Sequence, residues 1–240
     1  MVAYGARGLD QPFVEVHCFI AEHFFVSVHR DEMPAVTDAC RALARMPTDR
    51  RLVALYRLID NLTDSMFPFL SAFDDRIDEL QDQVFAKPTE DELAAMFALK
   101  RQLVDMRKLV TPQRDMVASM LSQVVTIPGM TPESERYIRD LYDHLIRISD
   151  MVDSYRDLLS GSLDAYMSVV SNRLNDVMKQ LTIIATIFLP LSFLTGFFGQ
   201  NFGWMVLRLG SLGVFLGLGL GIEVLAVVGL LFLFRRRGWM

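Results

Sequence analysis

The chain has 240 residues, enough for one large domain or two small ones, and 52% of them are apolar, an excess concentrated in the last quarter. A net charge of −5 excludes bulk nucleic-acid binding. No glycine-rich nucleotide loop precedes a helix, and no Ser-His-Asp or paired-carboxylate arrangement supports an enzyme. The two cysteines, Cys18 and Cys40, lack metal-ligand spacing and read as small core residues in a reducing cytoplasm. The first 30 residues lack a basic start followed by an apolar core, so this end is expected to stay on the cytoplasmic side.

In chain order, residues 13–17 and 24–28 alternate as strands, with a turn at Ala21 and Glu22. His17, His23 and His29 are spaced by six in this strand-like stretch, so they share a face, which permits a metal cluster though nothing else converges there. Helical periodicity follows over 34–43, then over 49–85 up to Lys87-Pro88. Acids between 74 and 82 read as a solvated helix face. The next helix starts at Thr89, where Thr89 and Glu92 make a capping box, and runs to about 124; Gly129 breaks the pattern. Thr131-Pro132 then opens the longest helix, with Thr as N-cap and Pro at the first position. It is predicted to continue into a membrane span and to be on the order of 100 Å long.

That helix carries an apolar stripe at steps of four and three: Leu141, Leu145, Ile148, Val152, Tyr155 and Leu159. Asp143, Asp150, Asp157 and Asp164 repeat every seven residues on roughly the opposite face. The same register continues through Ser171, Met178, Ala185, Ser192 and Gly199. In a parallel ring of helices it would stack acidic, polar and then narrow apolar rings around an axis; the aspartates alone also fit a solvated face.

Residues 181–198 hold no charge and are long enough to cross a bilayer; Pro190 is expected to kink them. A second span is read at 211–234, joined to the first by a short loop. Arg173 and Lys179 precede the first span, Arg235, Arg236 and Arg237 follow the second, and only Arg208 lies between. The positive-inside rule therefore puts both termini in the cytoplasm. Glu223 lies near the middle of the second span, where an ionisable group costs a few kcal/mol on insertion scales and is read as functional by default. A protonated carboxyl with only a packing role is the other reading. Gly217, Gly219 and Gly221 beside it permit close helix packing.

The runs 137–144 (YIRDLYDH), 155–161 (YRDLLSG), 168–179 (SVVSNRLNDVMK) and 181–190 (LTIIATIFLP) resemble the stalk and first span of CorA magnesium transporters. The resemblance implies a mainly α membrane protein: a remnant β-hairpin, a long helical stalk and a two-helix transmembrane hairpin, assembling as a parallel homopentameric funnel. Its parts would be a remnant of the N-terminal α/β domain at 1–47, a cytoplasmic helical pair at 48–130 and the stalk at 131–180. A pore helix at 181–201, an external loop at 202–210, a second span at 211–234 and a basic tail at 235–240 would complete it.

The family's Gly-Met-Asn signature falls on Gly199, Gln200 and Asn201, so these residues are the implied selectivity filter, with Asn201 meeting the hydrated ion. The implied pore lining is Asp164, Ser171, Asn175, Met178, Leu181, Ala185, Leu189, Ser192 and Gly196, with Met178 and Leu181 as the hydrophobic gate. One carboxylate of a regulatory metal site matches Asp140. The expected cargo is Mg²⁺, moved passively or by membrane potential across the plasma (inner) membrane, with no cofactor beyond the ion. Expected partners are further copies of the chain, membrane lipids and divalent cations.

Three departures bear on this. Gln200 replaces the signature Met, which keeps Zn²⁺, Co²⁺ and Ni²⁺ open as cargo. The external loop has no acid to attract cations. The N-terminal α/β part is short, which fits a start upstream of Met1, a form that gates without the regulatory site, or a non-conducting regulatory subunit.

Overall fold

A computed structural model describes residues 1–7, 13–21, 24–44, 51–86, 88–125, 127, 130–200 and 202–239. It divides into two compact units, Met1–Met167 and Ser168–Met240.

In the first unit, strands β1 (Val2–Ala6), β2 (Phe13–Ile20) and β3 (Phe25–His29) form an antiparallel sheet in that order. Alternation along β2 buries Val14, Val16 and Cys18 and exposes Glu15 and His17. The Ala21 N–H donates to the Phe24 carbonyl at 2.9 Å, closing the expected hairpin. Strand β1 adds a third member to it. Its outer edge is sealed by side chains: the Tyr4 N–H donates to Gln113 Oε1 and the Ala6 N–H to Ser65 Oγ, each at 2.9 Å. The helices press close there, since a Cβ on Gly5 would lie 2.9 Å from Leu62 Cδ2 and closer still to Met33 Cε.

The hairpin register corrects one expectation. His29 pairs with Val16, and His17 pairs with Val28, so His17 and His29 point to opposite faces of the sheet. The His17 ring meets Glu15 at 3.1 Å, while the His29 Nδ1 lies 2.8 Å from the Asp31 carbonyl. His23 lies outside the described residues, as do Lys87 and Gly129.

Helices α1 (Pro34–Leu43), α2 (Arg51–Asp64), α3 (Met66–Ala86), α4 (Glu90–Leu121) and α5 (Pro132–Phe198) follow. The predicted helix over 49–85 is two helices because Pro68 cannot donate to the Asp64 carbonyl and its ring crowds that group. Ser65 fills the break, its hydroxyl donating to the Leu62 carbonyl at 2.6 Å. At the start of α4, the Glu92 carboxylate accepts from the Thr89 N–H at 2.8 Å, the reach-back bond of the capping box, and also meets the Thr89 hydroxyl.

At the start of α5, Thr131 and Ser134 cap each other: the Ser134 N–H donates to Thr131 Oγ1 at 3.2 Å and the Thr131 N–H to Ser134 Oγ at 2.7 Å. The core of the unit is built from stripes at helical spacing. Phe73, Ile77 and Leu80 of α3, Leu103, Met106 and Val110 of α4, and Leu141, Leu145 and Ile148 of α5 are all buried. Polar ties run alongside them, from Gln81 to Ser162 at 2.8 Å and from Arg107 to Asp153 at 3.0 Å.

The second unit holds the rest of α5, then α6 (Gly203–Leu209), α7 (Leu212–Val214), a π-helical stretch (Phe215–Leu220) and α8 (Gly221–Arg236). Helix α5 runs through Pro190 without interruption. The expected 202–210 loop therefore contains a short helix. Two segments, within Pro132–Phe198 and at Leu212–Arg236, are long and apolar enough to cross a membrane, and their apolar windows are not buried inside the chain.

A Schellman motif ends α8. The Gly238 N–H donates to the Arg235 carbonyl, the Trp239 N–H donates to the Phe234 carbonyl, and Gly238 takes φ +68°. Trp239 stacks on Phe234 at 5.9 Å, the apolar contact this motif favours. Lys179 donates to the Gly238 carbonyl at 3.4 Å, so the start of the first span and the end of the second lie together.

Candidate metal centre and ion pathway

Two candidate sites emerge, a side-chain cluster between α2 and α5 and a stripe along α5. In the first unit, Asp60 and Asp64 sit one turn apart on α2 and face His144 on α5. One ligand atom from each lies within 4.8 Å of the others. His144 Nδ1 is 3.4 Å from an oxygen of each carboxylate. Asp60 Oδ1 and His144 Nδ1 are both buried and make no hydrogen bond. Burial first, then the neighbouring Asp64 carboxylate, raises the Asp60 carboxyl above the usual range, against a lowering by His144. A carboxylate destabilised in this way gains from a cation that displaces the proton. Two carboxylates and an imidazole can hold a divalent ion, the oxygens suiting Mg²⁺ and the nitrogen favouring Co²⁺, Ni²⁺ or Zn²⁺.

The sequence-predicted Asp140 joins the edge of this cluster. Its Oδ2 accepts a hydrogen bond from the Tyr56 hydroxyl at 2.9 Å, and burial together with that bond pushes the Tyr56 phenol up. Tyr137 packs on Tyr56 at 4.9 Å, and Phe67 packs edge-on against the His144 ring at 5.9 Å. Sequence reasoning gave no role to Asp60, Asp64 or His144. The available signal was two i, i+4 pairs, Asp60/Asp64 and Asp140/His144, each on one helix face.

The second candidate is a stripe along α5. Asp164, Ser171, Asn175, Met178, Leu181, Ala185, Leu189, Ser192 and Gly196 are all exposed in the single chain. On an ideal helix they fall within about a third of the circumference. Residues off the stripe in the same span, such as Ile184, Phe188 and Phe193, are exposed too. Helix α5 ends at Phe198. The Gly199 N–H donates to the Thr195 carbonyl at 2.8 Å, and the Gln200 N–H to the Phe197 carbonyl at 3.3 Å. A Cβ on Gly199 would lie 2.9 Å from that Thr195 oxygen, a backbone atom that cannot rotate away. Asn201 lies outside the described residues.

Behind this helix end is a cavity of about 580 Å³, with Thr195, Gly199 and Gln200 on one side and Phe215, Leu218 and Glu223 on the other. Arg235 and Arg236 close α8, and Arg237 is its C-cap.

The family model for the CorA-like Mg²⁺ transporter protein matches residues 2–236. The chain is 46% identical over 151 residues to the cobalt/magnesium transport protein CorA of Thermotoga maritima, covering 63% of this chain and 42% of that protein. It is 33% identical over 228 residues to the putative metal ion transporter YfjQ of Bacillus subtilis, covering 94% of this chain and 70% of that protein. Its fold matches the complete structure of the CorA magnesium transporter from Methanocaldococcus jannaschii with a TM-score of 0.85 at 22% identity, over 100% of this chain and 76% of that one.

Proposed function

Because the chain belongs to the CorA-like Mg²⁺ transporter family, we propose that it passes divalent cations across a membrane through a pore lined by α5 from five parallel copies. The observation that carries this reading is the single helix Pro132–Phe198, whose seven-residue register runs from Asp164 into an uncharged span and ends at Gly199 and Gln200. In a ring of copies, Asp164, Ser171 and Asn175 form acidic and polar rings that concentrate cations. Met178 and Leu181 form an apolar constriction that closes by losing its water, and Ala185, Leu189, Ser192 and Gly196 line the narrow part above it.

Gly199, Gln200 and Asn201 make the outer mouth. A hydrated Mg²⁺ sheds water reluctantly, so amide carbonyls there bind it through its water shell. Mg²⁺ is the proposed cargo. Gln200, in place of the signature Met, keeps Co²⁺, Ni²⁺ or Zn²⁺ as the alternative.

Asp60, Asp64 and His144, beside Asp140, are the proposed sensor. A cation held there stabilises the arrangement that binds it, so high internal metal closes the pore. The basic cluster Arg235–Arg237 and the neighbouring Lys179 support a cytoplasmic orientation, at the inner membrane, for that end of both spans and for both termini. Movement is passive, driven by the ion gradient and membrane potential.

The test is ion uptake into liposomes holding the purified chain, with Mg²⁺, Zn²⁺, Co²⁺ and Ni²⁺ compared. Selective flux is expected, and Asn201→Ala abolishes it while leaving the oligomer intact. Unchanged flux in Asn201→Ala sinks the filter assignment. A well-formed pentamer that carries no ion supports a non-conducting regulatory subunit instead.

A further inference from the structure

The carboxylate of Glu223 is the one acidic group in either span, and it opens into the cavity behind the end of α5. A carboxyl held among apolar groups is costly unless it finds a hydrogen-bond donor. The lining is otherwise glycine, valine, leucine and phenylalanine, with two exceptions, Thr195 and Gln200. The Thr195 hydroxyl is already committed, donating to the Leu191 carbonyl at 2.8 Å. Gln200 is therefore the lining side chain left with N–H donors to offer. The π-helical stretch Phe215–Leu220 directly precedes the turn that carries Glu223. A π segment changes the facing of every residue after it, and such segments recur at functional sites.

We propose that Glu223 is a positioning residue for ion selection: its carboxyl accepts a hydrogen bond from the Gln200 amide and so fixes the outer end of α5 where the permeating ion is chosen. The inference rests on the reading of residues 199–201 as the pore's outer mouth. It accounts for two unusual features together. A polar Gln stands where the family signature has an apolar Met, and a carboxyl stands across the same cavity. Each residue supplies what the other lacks, a donor for the half-buried acid and an anchor for a flexible amide that would otherwise sample several rotamers beside the ion path.

The test is a double-mutant cycle in the full chain with Glu223→Leu, Gln200→Met and the pair, plus Glu223→Gln, which keeps an acceptor of nearly the same shape. In liposomes, Glu223→Leu is expected to change the Mg²⁺ to Co²⁺ flux ratio about tenfold, the scale of one charge-assisted hydrogen bond. Glu223→Gln restores most of that ratio, and adding Gln200→Met to Glu223→Leu changes it little further. A ratio unmoved by Glu223→Leu, or effects that add independently, overturns the proposal.

The same cycle read as thermal stability of the detergent-solubilised chain needs no conduction. Non-additive losses there support the Glu223–Gln200 pair even if the parent carries no ion, which would sink the channel reading alone. Additive losses overturn the pair whatever the flux.

Discussion

At the residue scale, the metal cluster is a site in which one substitution should move two quantities in opposite directions. Asp60 is half-buried, its carboxyl raised by burial and by Asp64. Without metal its charge is a burden, so Asp60→Asn is expected to raise the melting temperature of the metal-free chain. In the proposed sensor the same carboxylate is a ligand, so the variant should lose the stabilisation that Mg²⁺ or Co²⁺ would confer, about 2.7 kcal/mol when free ion stands at a hundred times its dissociation constant. Thermal unfolding of the detergent-solubilised chain across a metal titration measures both, with Asp38→Asn, whose carboxylate pairs with Arg41 on the exposed face of α1, as control. Equal metal-dependent shifts in Asp60→Asn and the parent would remove these residues from the sensor. Gln113 presents a separate case. It is 2% exposed, and besides bonding the Tyr4 N–H its amide donates to Thr63 Oγ1 at 3.4 Å. Gln113→Leu keeps the bulk and leaves two buried polar groups unmatched, at a cost of about 1–3 kcal/mol each. Hydrogen exchange should quicken in β1 while α3 stays protected; uniform exchange across the unit would show that the bond does not anchor the strand.

At the element scale, what could be read from sequence depended on whether the information was local. Helix α5 was legible because its start is a local cap at Thr131 and its packing is a repeated local spacing. The boundaries of α1 and the capping box of α4 were legible for the same reason. The break between α2 and α3 was legible in principle, since Pro68 forbids the bond to Asp64, yet the apolar periodicity continues across it and hides it. Strand β1 left almost no trace. Its inward residues Ala3 and Gly5 are small, with helices pressing on Gly5, so alternation of large apolar groups is missing. The facing of His17 and His29 depends on how many residues the hairpin turn consumes, which a count of six through a continuous strand cannot supply. The same logic divides the candidate sites. The stripe on α5 lies on one helix and can be counted along the chain. The Asp60, Asp64 and His144 cluster exists only once α2 packs on α5: the Asp60/Asp64 and Asp140/His144 spacings were each visible along the chain, and their meeting was not.

At the scale of the whole molecule, the question is what covers the apolar surface that one chain leaves open. Leu174, Val177, Met178 and Leu181 are each more than half exposed around the entry to the first span, where Arg173 and Lys179 still mark water nearby. Four large apolar side chains in so short a stretch make a patch that soluble monomers rarely tolerate, and a ring of copies buries it against itself. In the proposed ring Met178 and Leu181 would face the axis, and the constriction they would make resists wetting because apolar walls at that width cannot replace the hydrogen bonds that water and ions lose on entry. Met178→Asp puts a carboxylate from every copy at this point, which holds water and attracts cations. Resting Mg²⁺ leak from liposomes is therefore expected to rise severalfold, with the oligomer still intact by native mass spectrometry. Met178→Leu, which keeps an apolar wall of similar volume, should leak no more than the parent. If Met178→Asp and the parent leak equally while both remain assembled, the closure lies elsewhere on α5, and the next ring along the same register, at Ala185 and Leu189, becomes the position to substitute.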